Sequence, residues 1–79
     1  MYDVVGIDMP CVDLLCHIER IPEPNEAMEV SESSWQGGGK VATGLIAAAR
    51  LGLKAAIIGK VGDDIYGRYC ISDFVRHGV

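Results

Sequence analysis

Three consecutive glycines followed by a lysine, Gly37-Gly38-Gly39-Lys40, are the residues of this chain best suited to receive a ligand. A glycine run lets backbone amides come close to a bound group, and the lysine adds a cation. Compared with the P-loop, the segment fails at two positions: Ser34 stands where the first glycine belongs, and Val41 where Ser or Thr must follow the lysine. The dinucleotide fingerprint G-x-G-x-x-A is matched by Gly37 to Ala42, with Asp63 placed 24 residues after Gly39. That loop, however, follows directly on a buried apolar strand, whereas Ser31-Glu32-Ser33-Ser34-Trp35-Gln36 precedes the glycines here. A plain glycine hinge into a helix stays open beside it.

Other residues carry chemistry singly. Asp13 lies a few residues past the first apolar run, where its carboxylate either accepts hydrogen bonds from a pair of ligand hydroxyls or is solvated at a strand end. Lys40 gains nothing from the dipole of a helix it begins, a misfit that favours a ligand role. Asp63 and Asp64, before an apolar helix, read as caps and not as a metal pair. Cys11, Cys16 and His17 lack a fourth zinc ligand nearby, with Cys70 and His77 on a distant helix, so no metal site is expected. Trp35 either lines a ligand pocket or anchors the segment that carries it.

The elements that must position these residues follow from patterning. Tyr2 to Ile7 is rich in β-branched residues and reads as a buried strand. Val12 to Ile21 and Ala27 to Trp35 alternate loosely on either side of Pro22-Glu23-Pro24, which predicts a hairpin-like flap that adds little to the core. Gly37 to Gly39 is expected as a flexible lead into a helix over Lys40 to Leu51, whose Val41, Leu45 and Ala48 or Ala49 share a face and which Gly52 ends. Lys54 to Val61 returns to strand composition. A second helix follows Asp63-Asp64, with Ile65 and Tyr69, Cys70 and Phe74, and Ile71 and Val75 at i,i+4 spacing; Gly78 ends it and Val79 opens a further strand.

Composition sets the outer limits. With 79 residues, 49% of them hydrophobic and 23% charged, the chain is one small domain at most, neither disordered nor membrane-spanning. Its formal charge of -4 and scattered Lys and Arg argue against nucleic acid or an anionic membrane as partner. Three cysteines without scaffold spacing, and no signal-peptide pattern, predict a cytoplasmic protein. A chain of this length buries only about 60% of the surface its unfolded form exposes.

In order, the chain shows VVG with VDLL between Val4 and Leu15, the flap, the GGGK helix start, Ala-Ala-Ala-Arg-Leu-Gly, a strand and Gly62-Asp63-Asp64-Ile65-Tyr66-Gly67. This order resembles the N-terminal part of the ribokinase-like, or PfkB-type, carbohydrate kinases, over essentially all 79 residues. The resemblance implies part of a three-layer α/β/α fold with a β lid at about residues 14 to 35. It implies transfer of the γ-phosphoryl of ATP, with magnesium, to a hydroxymethyl group of a sugar, nucleoside or related small alcohol. Asp13, Gly38, Gly39, Lys40 and Thr43 match the sugar side. The family's catalytic base and anion hole would lie beyond Val79, so this chain is expected to hold no catalytic residue, to bind neither ATP nor magnesium, and to be inactive and poorly folded alone. The helix faces carrying Leu45, Ile46, Phe74 and Val75 are expected to stay partly exposed, and a homodimer through the lid is expected of a full-length form. Val41, Thr43 and Leu45 depart from the family's usual small residue, asparagine and small residue, and Asp8 and Met9 from its common glycine or asparagine. The other functional class left open is a noncatalytic α/β nucleotide-binding or interaction module.

Overall fold

The computed structural model describes residues 1–79. Strand β1 (Val4–Asp8) opens the chain, followed by β2 (Cys11–His17), β3 (Glu32–Gly38), helix α1 (Lys40–Arg50), β4 (Ala55–Gly59) and α2 (Ile65–His77). The strands form two separate pairs. β1 runs parallel to β4 in the register Val4 to Ala55 through Asp8 to Gly59, and β2 runs antiparallel to β3 with Cys11 opposite Gly38 and His17 opposite Glu32.

Helix α1 is the crossover between the two parallel strands and packs on one face of that pair. Gly6 makes the approach close. A Cβ there would collide with Val41 Cγ1 and lie 2.8 Å from Leu45 Cδ1. Ala42, Leu45 and Ala55 are buried in consequence. The opposite face of the pair, with Val5, Ile7 and Ile58, is bare. Of the three layers implied by the resemblance, the chain thus builds the sheet and the helix on one side of it.

Helix α2 packs against α1 and the β2–β3 hairpin. Asp64 caps it, its carboxylate accepting from the Gly67 N–H at 2.8 Å, as its position before the apolar run predicts. At the other end Gly78 turns left-handed at φ 82° and the Val79 N–H reaches the Phe74 carbonyl at 2.9 Å. Val79 therefore folds back and packs against the core. The small core joins Ala42, Cys70 and Phe74, with Val12, Ile46, Ile57 and Val61 packed around them. Leu45 and Phe74, expected to stay partly exposed, are buried because α1 settles on the parallel pair and α2 on α1. Ile71 and Val75 on the far side of α2 are exposed.

The hairpin extends beyond the flap boundaries expected at 14 and 35. Its strands take in Cys11 to Asp13 at one end and Gln36 to Gly38 at the other. Two of the three glycines expected to form a flexible lead are thus paired strand residues. The connecting segment is closed locally: Glu26 N–H donates to the Glu23 carbonyl at 3.0 Å and Asn25 adopts φ 63°. Arg20 bridges both Glu26 oxygens at 2.8 and 2.5 Å, and this guanidinium holds the Glu26 carboxyl below its usual range. No helix is long and apolar enough to cross a membrane.

Candidate functional site

The glycine run lies where three chain-distant carboxylates converge, one against each glycine. A Cβ on Gly37 would lie 2.5 Å from Asp73 Oδ2, one on Gly38 2.6 Å from Asp13 Oδ2, and one on Gly39 2.7 Å from Asp8 Oδ2. The close approach that glycines permit is therefore made by the protein's own acids, which any larger residue would displace. Gly39 carries a further constraint, its φ of 112° being a conformation L side chains rarely adopt.

Asp8 does what no neighbouring side chain does for α1. Gly39 supplies no side-chain cap, and Asp8, at the end of β1, accepts from the Ala42 N–H at 2.9 Å through Oδ2 and from the Met9 N–H at 2.8 Å through Oδ1. A carboxylate at this position satisfies a free N–H and complements the positive end of the helix, an interaction of about 1 kcal/mol. Asp73 is the buried acid of the set, on α2, ion-paired with Arg76; His77 Nδ1 lies 3.5 Å from its Oδ1 and 2.8 Å from its backbone carbonyl.

Asp13 is placed differently. It sits on β2 opposite Gln36, is exposed, and receives one side-chain hydrogen bond, from Cys11 Sγ at 3.6 Å to Oδ1. A thiol is a weak donor, so the carboxylate keeps most of its accepting capacity for hydroxyls. Partial desolvation and then the Asp13 charge push the Cys11 thiol up. Lys40, the first residue of α1, is exposed and makes no ion pair.

Of the five expected site residues, Asp13 and Gly38 are in direct apposition, and Gly39 with Lys40 continues the chain from Gly38 into α1. Thr43 stands one turn further on. Its clefts are shared with Gly37, Gly38 and Asp73 and do not take in Asp13 or Lys40. Trp35 is an anchor: it lies on the hairpin face opposite Asp13, its ring 5.3 Å from that of Tyr66 and 5.7 Å from that of Tyr69, and its carbonyl accepts from the Tyr69 hydroxyl at 2.8 Å.

The glycine run ends an antiparallel hairpin strand, which removes the context a dinucleotide loop requires, and Asp63 is solvated beside Arg68 at 3.7 Å. Cys11 and Cys16, five residues apart on one strand, point to opposite faces of it. The carboxylates present do not fit magnesium. Asp64 is taken by its cap, Asp63 faces Arg68, and Asp8, Asp13 and Asp73, each against a different glycine, do not form a group that could hold a metal ion.

The fold is an α/β unit with a carboxylate held over a glycine helix start, and comparison with known proteins identifies its family. Residues 2–79 match the model of the pfkB family carbohydrate kinases, and the chain belongs to that family. It is 39% identical over 79 residues to the 5-dehydro-2-deoxygluconokinase of Bacillus velezensis, an alignment covering 99% of this chain and 22% of that one. To the ribokinase of Bacillus subtilis it is 33% identical, covering 100% of this chain and 27% of the relative. The crystal structure of ribokinase from Cryptococcus neoformans in complex with ADP superposes with a TM-score of 0.80 at 25% identity, over 100% of this chain and 25% of that one. The chain thus spans about a quarter of the length of these relatives.

Proposed function

We propose that the chain forms the acceptor side of a cytoplasmic, ATP-dependent kinase that phosphorylates a hydroxymethyl group of a sugar or related small alcohol. Family membership supports the reaction class, and the apposition of Asp13 to Gly38 is the observation that carries the site. In this reading Asp13 accepts hydrogen bonds from two acceptor hydroxyls, the Gly38 and Gly39 backbone lies against the sugar, and Lys40 adds a cation at the rim. Thr43 contributes its hydroxyl from the adjoining cleft. The hairpin acts as the lid, excluding water from the acceptor. Pairing of two lids is the assembly we propose for a full-length form. When bound, ATP with magnesium supplies the phosphoryl group and neutralises its charge; the residues described here orient the acceptor and assemble neither partner.

The test is titration of the isotopically labelled chain with ribose, 2-deoxyribose and D-gluconate, against NAD and ATP, followed by NMR. A sugar is expected to shift the amides of Asp13 and Gly38 to Lys40. The Asp13→Ala variant should bind it about 10- to 100-fold more weakly, since a hydrogen bond to a charged group contributes about 1.5–3 kcal/mol. Incubation with labelled ATP, magnesium and the same sugars is expected to give no turnover by these 79 residues. Binding of NAD without any sugar response would replace this reading with the nucleotide-binding one.

A further inference from the structure

Helix α1 is capped from another strand. A cap residue's own side chain ordinarily satisfies the N–H three residues on, but Gly39 has none to offer. That N–H, of Ala42, is taken instead by Asp8 at the end of β1, 34 positions earlier, at 2.9 Å. A side chain at position 39 could not share the task, because its Cβ would lie 2.7 Å from Asp8 Oδ2. A local cap ties a helix to the residue before it, whereas this one ties the first turn of α1 to the parallel pair.

The second oxygen reaches the other way. Asp8 Oδ1 accepts from the Met9 N–H at 2.8 Å, at the entry to the link that leads into β2 and Asp13. The hairpin ladder ends with Cys11 opposite Gly38, so strand pairing fixes Asp13 against Gly38 and leaves open the direction in which Gly39 and Lys40 depart. Asp8 holds that departure and the approach to Asp13 from a single point. Each of its oxygens already has a backbone donor, so it acts through the backbone. It is also one of the positions where this chain departs from the family's common glycine or asparagine. We propose that Asp8 is a positioning residue for the acceptor, setting Gly39 and Lys40 relative to the Asp13 carboxylate. This rests on the acceptor-site reading and adds to it a residue that touches no acceptor atom.

The experiment measures affinity for ribose, 2-deoxyribose and D-gluconate from the amide shifts of the labelled chain, in the parent, Asp8→Ala, Asp8→Asn, Asp13→Ala and the Asp8→Ala/Asp13→Ala double variant. Asp64→Ala, which removes the cap of α2, is the control for losing a cap elsewhere. Asp8→Ala is expected to weaken the sugar about five- to tenfold. Asp8→Asn, which keeps an oxygen for the Ala42 N–H, should restore most of that affinity. Asp64→Ala should lower the urea midpoint to a similar extent and leave sugar affinity unchanged. The double variant should bind no more weakly than Asp13→Ala, because Asp8 works by placing Asp13 and its surroundings. Should Asp8→Ala not fold, Asp8→Glu, whose extra methylene pushes the carboxylate against Gly39, is expected to show the loss in its place. Parent affinity in Asp8→Ala, equal losses in Asp8→Ala and Asp64→Ala, or losses that add in the double variant overturn the proposal, and a weakened Asp13→Ala then leaves the acceptor reading standing. A parent in which no sugar shifts the amides of Asp13 and Gly38 overturns both.

Discussion

The two strand pairs of this molecule are held by opposite means. The parallel pair β1–β4 owes its order to burial: α1 lies across it, Gly6 admits Leu45, and Ala42, Leu45 and Ala55 are sealed from water. The β2–β3 hairpin has almost no buried side chain, and is pinned at one end only, where Val12 meets the core and Trp35 is clasped by Tyr66 and Tyr69. That end carries Asp13, Gly37 and Gly38, while the other runs into the irregular segment 18–31. Packing is thus concentrated at the end that carries Asp13, and the far end of the hairpin is exposed.

Leu45→Ala should break the better-buried region outright. Removing a core leucine costs about 2–5 kcal/mol, a large part of the stability of so small a domain, so urea or thermal unfolding should lose its cooperative transition. The matching change in the hairpin, Leu15→Ala, should stay within about 0.5 kcal/mol because that side chain is 45% exposed. Trp35→Ala is intermediate and selective. Each aromatic contact contributes about 0.5–1.5 kcal/mol beyond burial, so amide exchange across β2 and β3 should accelerate roughly tenfold or more while Ala55 to Ile58 keep their protection. Acceleration in both pairs alike would show that the clasp supports the whole molecule.

The smallest effect is electrostatic. Desolvation and the Asp13 charge raise the Cys11 thiol, so the neutral S–H form persists to higher pH than in a free cysteine. Asp13→Asn removes the second of these causes. The pH profile of Cys11 alkylation should then move toward lower pH, with the profile of Cys16 unchanged. A Cys11 profile that does not move would separate the two side chains.

What could be read from the residues in order was what local chemistry decides. Asp64 caps a helix that starts one residue later, Gly78 ends that helix, and α1 and β4 occupy their expected segments within a few residues. Asp13 and the glycines were recognisable through the motif order. Asp8 and Asp73 were not, because each acts on a residue far along the chain: Asp8 caps at Ala42 and Asp73 packs on Gly37, 34 and 36 positions away. A capping residue is sought immediately before its helix, and here that position is a glycine. The glycine run could be read as a place of close approach, but only the folded chain shows that acids occupy it.

The central claim is that Gly38 is small so that Asp13 can present its carboxylate to an acceptor, and a double-mutant cycle read by sugar affinity tests it directly. Gly38→Ala places a Cβ 2.6 Å from Asp13 Oδ2 and must push the carboxylate aside. The expected result is that Gly38→Ala and Asp13→Ala each weaken the acceptor by a similar factor, and that the double variant binds no worse than either alone. Losses that simply add, or a Gly38→Ala variant that binds as the parent does, would contradict it.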